Sequence, residues 1–352
     1  MKKRLTALFV AISVMFGLTG CGGGSDSCEV ALITDIGTVE DGGYNEECYK
    51  GIKRLCEEKG LTYKYYIPDG YDTVNYMAQI NAAVEAGAKV VVCPGYLLEE
   101  AVYNAASELP DVNFILVDGM PHNSDYTDYT IAQNVLPITF AEEEAGFLAG
   151  YAAVRDGYRR LGFLGGMPEE AVIRYGYGFV QGADYAGIEL GKKIYIAYSY
   201  MNTFSEEQKV YDTAAIFYDF SVEVIMANGG VIDSSVMSAA EEKKKVVIGT
   251  DTDKAYDSNS VAFSCVKDIE GAVYNSLNDY SNGTFAGGAE KHLTVAEGGV
   301  YLTMNGHFNE FTEIEYNAIV AEMASKNIVP YANTNIGTTA ELDLVNVEVI
   351  YQ

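Results

Sequence analysis

Short runs of apolar, often β-branched residues recur along the chain, separated by longer segments whose apolar residues repeat near every 3.6 positions. The short runs do not alternate apolar with polar residues, which is typical of strands covered by helices on both faces. This order predicts parallel sheets of the α/β class. The predicted strands are 30–34, 63–67, 89–93, 113–117, 161–164, 193–197, 222–226, 246–248 and 261–265, and the predicted helices are 46–59, 74–86, 99–108, 141–155, 176–190, 206–219 and 234–243.

The strands fall into two sets, one before Gln133 and one after Arg160, and each set is the size of one doubly wound lobe. Residues 133–137 are the predicted crossover between the lobes, a helix over 270–280 is expected to return to the first lobe, and 300–308 to cross back. Several crossovers make a hinge, and a hinge between two lobes makes a cleft that closes on a ligand. The predicted lobes are 28–135 with 262–298, and 136–261 with 299–352.

The first residues have the pattern of an export signal. Lys2, Lys3 and Arg4 precede the apolar stretch 5–18, and small residues lead to Cys21. This pattern predicts a lipoprotein signal peptide over 1–20, a lipid on Cys21, a flexible glycine-rich tether over 21–27, and a body at the extracytoplasmic face of the cell membrane. An ordinary secretory signal with an incidental cysteine is the alternative.

Charge and composition exclude several classes of partner. The formal charge is −27, and a surface this acidic repels phosphate backbones, so nucleic acid is not an expected partner. His122, His292 and His307 are too dispersed for a metal cluster, and no cofactor is expected. Scattered cysteines without a C-x-x-C pair speak against a zinc site but leave one disulfide open. They are Cys28, Cys48, Cys56, Cys93 and Cys265.

Glycines and carboxylates follow most of the predicted strands. In parallel sheets, ligands bind where strands end and loops lead into helices. Glycines there allow close backbone approach, and carboxylates accept hydrogen bonds from hydroxyl groups, so the loops fit a small polyhydroxyl ligand. The segments concerned are 34–37, 94–96, 118–119, 165–167, 228–230 and 249–251.

The segment 35–45, Asp-Ile-Gly-Thr-Val-Glu-Asp-Gly-Gly-Tyr-Asn, resembles the D-x-G-x-x-D-x-S-F-N pattern of the basic membrane lipoprotein family, which includes purine nucleoside receptors of ABC importers. Ordered blocks continue the resemblance to Tyr274, over most of the mature chain. It implies a fold like that of type I periplasmic binding proteins. The blocks are 163–167, 178–183, 202–204, 225–230, 248–251 and 267–268.

The resemblance also implies site residues. A purine would stack between Tyr44 and Phe204, one ring from each lobe; the alternatives are a surface tyrosine and a core phenylalanine. Asp118 matches the aspartate that bonds the base edge, with a turn or helix-cap aspartate as the alternative. Asp251 and Lys267 match a pair that holds the ribose, with a surface cation as the alternative for Lys267. Asp35, Asn45 and amides near Gly229 are weaker candidates for sugar contacts.

Two positions depart from the family pattern. Gly43-Tyr44-Asn45 has a phenol where the pattern has a phenyl ring, and 202–204 reads Asn-Thr-Phe in place of Gly-Ser-Phe. The added hydroxyl can change which base is preferred.

A receptor is favoured over an enzyme. Gly176-x-Gly178-x-x-x-Gly182 is one residue too long for a dinucleotide fingerprint and lies in a helical pattern, so it is interpreted as helix packing. We expect a monomeric, lipid-anchored receptor that captures a nucleoside, with a purine favoured, and presents it to an ABC permease. The alternatives are a receptor for a free sugar or for another flat heterocycle such as riboflavin, and a nucleosidase or glycosidase that uses carboxylates such as Asp35, Asp118 and Asp251.

Overall fold

A computed structural model describes residues 28–334 and 338–352. The predicted signal peptide 1–20, the lipidation site Cys21 and the tether 21–27 lie outside the described residues. Within the described ranges, the chain forms one sheet of six strands and one of seven. The α/β class with two doubly wound lobes is confirmed.

The first sheet has the strand order β11-β5-β4-β3-β1-β2, and its neighbours pair in parallel. β1, β3 and most of β4 are buried along their whole length, which agrees with their unbroken apolar sequence. The strands are β1 (Val30–Ile33), β2 (Tyr63–Tyr66), β3 (Val90–Pro94), β4 (Asn113–Val117), β5 (Val135–Phe140) and β11 (Lys291–Leu293).

The second sheet has the order β12-β10-β9-β8-β6-β7-β13. β12 runs antiparallel to β10, and the other neighbours are parallel. The strands are β6 (Arg160–Gly165), β7 (Ile194–Tyr200), β8 (Val224–Asn228), β9 (Val246–Asp251), β10 (Val261–Lys267), β12 (Val300–Leu302) and β13 (Val347–Tyr351).

The helices cover the faces of both sheets, and their ends follow local sequence signals. Asp72 caps α2 by accepting a hydrogen bond from the backbone N–H of Asn75, and Gly60 ends α1 in a left-handed conformation. The helices are α1 (Tyr44–Lys59), α2 (Thr73–Glu85), α3 (Glu99–Glu108), α4 (Glu142–Arg155), α5 (Glu170–Leu190), α6 (Gln208–Asp219), α7 (Ile232–Lys243), α8 (Ile269–Ser281) and α9 (Glu313–Ala324).

The chain passes between the sheets three times. β5 still belongs to the first sheet and α4 packs on α5 in the second lobe, so the first crossing lies near Ala141 and not at 133–137 as predicted. β10 belongs to the second sheet, so the second crossing follows Lys267 and not residue 261. α8 packs on α1 in the first lobe, and β12 joins the second sheet.

Four glycines allow α4 and α5 to pack with their backbones in contact. A Cβ on Gly146 or Gly150 would overlap a backbone carbonyl of α5, and a Cβ on Gly178 or Gly182 would overlap one of α4. The interpretation of the Gly178 and Gly182 pattern as helix packing is therefore confirmed. This close crossing places the start of both helices beside the hinge.

Candidate functional site

A cleft of about 380 Å³ lies between the lobes at the carboxyl ends of the strands. This volume suits a small-molecule ligand. Both lobes contribute to its walls, and seven of the eight ligand contacts expected from the sequence line it. These are Asp35, Tyr44, Asp118, Phe204, Gly229, Asp251 and Lys267.

Two of these residues have strained backbones. Asp118 follows β4 with φ 59°, and Asp251 ends β9 with φ 65°. The left-handed conformation costs a non-glycine residue about 1 kcal/mol, and such strain concentrates at ligand sites. The two aspartates occupy equivalent positions, one at a strand end in each lobe, and both side chains reach the same lysine.

Lys267 lies at the hinge and is only 2 % exposed. Its Nζ is 2.9 Å from Asp118 Oδ2, 2.9 Å from Glu142 Oε1 and 3.6 Å from Asp251 Oδ1. Burial opposes the charged ammonium, but the three carboxylates outweigh it and hold the pKa of Lys267 well above its usual range. The ammonium therefore joins carboxylates from both lobes.

The carboxylates around Lys267 differ in environment. Burial raises the pKa of Asp118, and Lys267 offsets only part of that effect. Burial also acts on Glu142, yet Lys267 and Arg174 together bring the pKa of Glu142 below its usual range. Arg174 Nε donates to Glu142 Oε2 at 2.7 Å. Glu142 is therefore a fully paired anion, whereas Asp118 keeps a more weakly compensated charge toward the cleft.

Tyr44 begins α1, and its hydroxyl enters this charged cluster. The hydroxyl donates to Asp118 Oδ2 at 2.8 Å and accepts from Lys267 Nζ at 2.8 Å. It also lies 3.4 Å from Asp251 Oδ1, which accepts a second phenol hydrogen bond from Tyr175 at 3.2 Å. The departure from phenyl to phenol at position 44 thus anchors the ring at the polar end of the cleft.

Phe204 packs closely against three glycines on the other side of the cleft. A Cβ on Gly229 would lie 3.0 Å from Phe204 Cε1, and Cβ atoms on Gly166 and Gly230 would also press on this residue. Gly229 and Gly230 have φ values of 123° and 60°, which favour glycine. The loops after β6 and β8 therefore hold the ring face in the cleft wall.

Asn45 does not line the cleft, contrary to the expected sugar contact. Its Nδ2 donates to Asp35 Oδ1 and to Asp41 Oδ2, each at 2.6 Å, and its Oδ1 accepts from the backbone N–H of Asp35 at 3.1 Å. Both amide hydrogens are thus used within the first loop, so Asn45 positions Asp35. Burial raises the pKa of Asp35 to about 6, and the hydrogen bond from Asn45 limits the rise.

The lobes also touch at the mouth of the cleft. Thr252 Oγ1 and Lys254 Nζ each donate to the carbonyl oxygen of Gly42 at 3.4 Å. Lys254 is itself paired with Asp233 at 3.4 Å. These contacts join the first loop of one lobe to the loop after β9 in the other.

Several residues of the cluster were not predicted from the sequence. Glu142 looks like any acidic residue in a first helical turn, Arg174 like a surface cation, and Tyr175 is one of 28 tyrosines. At the end of β8, the sequence indicated amides near Gly229 as candidate contacts but not the side chain of Asn228. Their spacing along the chain carries no signal, because they meet only when α4, α5 and the strand ends converge.

The structure also bears on metal binding, disulfide formation and membrane-spanning helices. Over 28–334 and 338–352, no group of three or more histidine, cysteine or acidic side chains could hold a metal ion. The five cysteines in this part of the chain are buried free thiols, so the one open disulfide is not formed among them. In the same ranges, no helix has the length and apolar character needed to cross a membrane.

The fold is that of ABC transporter solute-binding proteins of the periplasmic-binding-protein type. A solute-binding protein of an ABC transporter system from Aeropyrum pernix K1 superposes with a TM-score of 0.74 at 20% identity, over 89% of this chain and 95% of the other. Two lobes around an interlobe cleft define this class, and the strand-end residues described above line that cleft.

Residues 28–334 match the family model Bmp, described as ABC transporter substrate-binding protein PnrA-like, and the chain belongs to this family. It is 27% identical to the ABC transporter nucleoside-binding protein BmpA of Lactococcus lactis, over 94% of this chain and 99% of that protein. It is 28% identical to basic membrane protein D of Borreliella burgdorferi, over 90% and 91% of the two chains. The resemblance inferred from the strand-end motifs is confirmed.

Proposed function

We propose that this protein is the lipid-anchored receptor of an ABC importer and binds a nucleoside, preferably a purine nucleoside, in the interlobe cleft. The observation that carries the proposal is the meeting of Tyr44 and Phe204, from opposite lobes, in one cleft with Asp118, Asp251 and Lys267. A relative of full length is named as nucleoside-binding, which supports the same ligand class.

The cleft would hold the base by stacking, and the base edge and the ribose by hydrogen bonds. A flat base gains roughly 1–3 kcal/mol from an aromatic face. The described contacts of the Asp118 carboxylate use Oδ2, which leaves Oδ1 for an N–H group on the base edge. Asp251 offers a carboxylate to ribose hydroxyls, and Lys267 lies beside it.

The charges of the cleft favour a ligand without phosphate. Its two cationic side chains, Lys254 and Lys267, are both already paired with carboxylates. Five carboxylates line the same walls, and a phosphate would meet their repulsion without a free cation to hold it. They are Asp35, Asp41, Asp118, Glu169 and Asp251.

Binding by both lobes explains how such a receptor signals occupancy. A ligand that contacts Tyr44 on one lobe and Phe204 on the other stabilises the closed form, because only that form provides both contacts. A permease that recognises the closed form then receives loaded receptors. A lipid on Cys21 and the tether after it keep the receptor near the permease at high local concentration.

Calorimetry tests the ligand class. The protein is titrated with adenosine, guanosine, inosine, pyrimidine nucleosides, ribose and riboflavin, and we expect the tightest binding with a purine nucleoside. Binding of free ribose or riboflavin alone would replace the proposal with the corresponding receptor. Incubation with the bound nucleoside, followed by chromatography for free base, tests for a nucleosidase, and catalytic release of base would contradict a pure receptor.

Mass spectrometry tests the anchor. Expression in a lipoprotein-processing host is expected to give a chain that begins at a diacylated Cys21. A mature chain without lipid on that residue would show that the leader is an ordinary secretory signal. Light scattering of the purified protein is expected to give the mass of one chain.

A further inference from the structure

Asn228 is a buried polar residue that the contacts assigned so far do not use. It is the last residue of β8, in the middle of the second sheet, and it is level with Gly165 on the neighbouring strand β6. The residue is part of the cleft wall. It therefore occupies the position at which parallel sheets present ligand contacts.

The side-chain amide oxygen of Asn228 lacks a hydrogen-bond partner among the described residues. The residue is 2 % exposed, and its Oδ1 accepts no hydrogen bond from any residue in 28–334 or 338–352. The backbone carbonyl of the same residue accepts from Gly166 N at 2.7 Å, so the unpaired acceptor is the side-chain oxygen. Buried amides are nearly always hydrogen-bonded, and an unpaired one beside a cleft points to a partner from outside the chain.

The neighbours of Asn228 locate that partner. On one side lies Gly229, which abuts the ring of Phe204. On the other side lies β9, whose Thr250 donates through Oγ1 to the carbonyl of Ala227 at 3.0 Å and immediately precedes Asp251. Asn228 therefore lies between the aromatic face and the carboxylate, where the base of a nucleoside would join its sugar.

We propose that Asn228 is a specificity-determining contact whose side-chain amide binds one hydroxyl group of the sugar. The proposal rests on the proposed nucleoside function. A hydroxyl fits better than other groups, because it can donate to the amide oxygen and accept from the amide nitrogen. A ligand that lacks this hydroxyl leaves the amide unpaired in the closed cleft and binds more weakly.

The test combines Asn228→Ala with ligands that each lack one hydroxyl. Calorimetry measures the affinity of wild type and variant for the preferred nucleoside and for its 2′-, 3′- and 5′-deoxy forms. We expect the substitution to weaken binding of the parent nucleoside about 10-fold or more. With one deoxy form, wild type and variant should bind equally, because the hydroxyl that Asn228 binds is already missing.

Thermal unfolding without ligand separates this role from a structural one. Removing a buried amide whose oxygen is unpaired should leave the melting temperature of the Asn228→Ala variant unchanged or higher. Asn134→Ala is the matched control, since the Asn134 amide donates to the carbonyls of Ala106, Leu109 and Val112 far from the cleft. This control should lower the melting temperature and leave the affinity unchanged.

Two results would overturn the inference while leaving the receptor function intact. One is unchanged affinity of Asn228→Ala for the parent nucleoside, and the other is an equal loss for the parent and all three deoxy forms. A wild-type protein that binds no nucleoside at all would overturn the proposed function and this inference together.

Discussion

Replacing Lys267 by methionine should strongly destabilise the protein, because it leaves buried carboxylates without their common cation. The ammonium lies 2.9 Å from Asp118 and Glu142 and 3.6 Å from Asp251, and of these three carboxylates only Glu142 also forms an ion pair with Arg174. Removing one partner of a buried ion pair typically costs 3–5 kcal/mol. We expect a loss of about 4 kcal/mol in the free energy of unfolding at pH 8, measured by urea denaturation.

The pH dependence of this loss has a defined sign. In the wild type, the pKa of Lys267 is raised above its unfolded value of 10.5, so its contribution is fully present below that pH and is lost only in strong alkali. In the variant, Asp118 loses the cation that offsets its burial, and its already raised pKa rises further. A carboxyl with a raised pKa binds protons more tightly when folded, so the variant should recover stability as the pH falls from 8 to 5.

Lys50→Met is the matched control, because Lys50 pairs with Glu46 and Glu47 at 2.8 Å on the surface with 47% of its side chain exposed. Such a pair contributes about 1 kcal/mol or less. Asp118→Asn in the Lys267→Met background should restore part of the stability by removing one unpaired charge. A loss no larger than that of Lys50→Met, or one that is the same at pH 5 and pH 8, would refute the electrostatic account.

Three further predictions concern the cleft and the helix crossing. Tyr44→Phe removes a hydroxyl that is bonded to two charged groups, so it should lower the free energy of unfolding in urea by about 2 kcal/mol while nucleoside binding persists in calorimetry. Tyr44→Ala should abolish nucleoside binding. Equal nucleoside affinities of the two variants would contradict stacking on Tyr44. Asp251→Asn keeps a residue that tolerates the left-handed backbone at this position. It should weaken nucleoside binding about 10-fold and change the ligand-free melting temperature little. A comparable loss of stability would make Asp251 structural. Gly150→Ala places a methyl group against the carbonyl of Phe179 and should cost about 2 kcal/mol or more in urea unfolding, whereas a neutral effect would mean that the helices separate easily.

The charged cluster around Lys267 includes a residue at each of two crossings between the lobes. Lys267 ends β10 at the second crossing, and Glu142 begins α4 at the first. A ligand that contacts Asp118 or Asp251 therefore acts on the same ammonium that joins the crossings.

Local patterns predicted most of the fold. The nine strands and eight helices expected from the sequence are present within a few residues of their expected bounds, apart from the start of α5 at Glu170. β5, β11, β12, β13 and α9 were not predicted as strands or helices. β5 contains Pro137 and follows a polar segment, and β11 has only three residues, so neither has a distinctive apolar pattern.

The sequence by itself determined the two-lobed α/β class, the order of the strand-end loops and the family, because periodicity and ordered motifs are carried by neighbouring residues. It also placed seven of the eight expected contacts in the cleft. Only the tertiary structure showed that Asn45 is hydrogen-bonded to Asp35 and Asp41, that Glu142 pairs with Lys267, and that Asn228 lines the cleft with an unpaired side-chain oxygen. Hydrogen-bond and ion-pair partners far apart in the chain depend on strand register and helix crossing, and no local pattern encodes either.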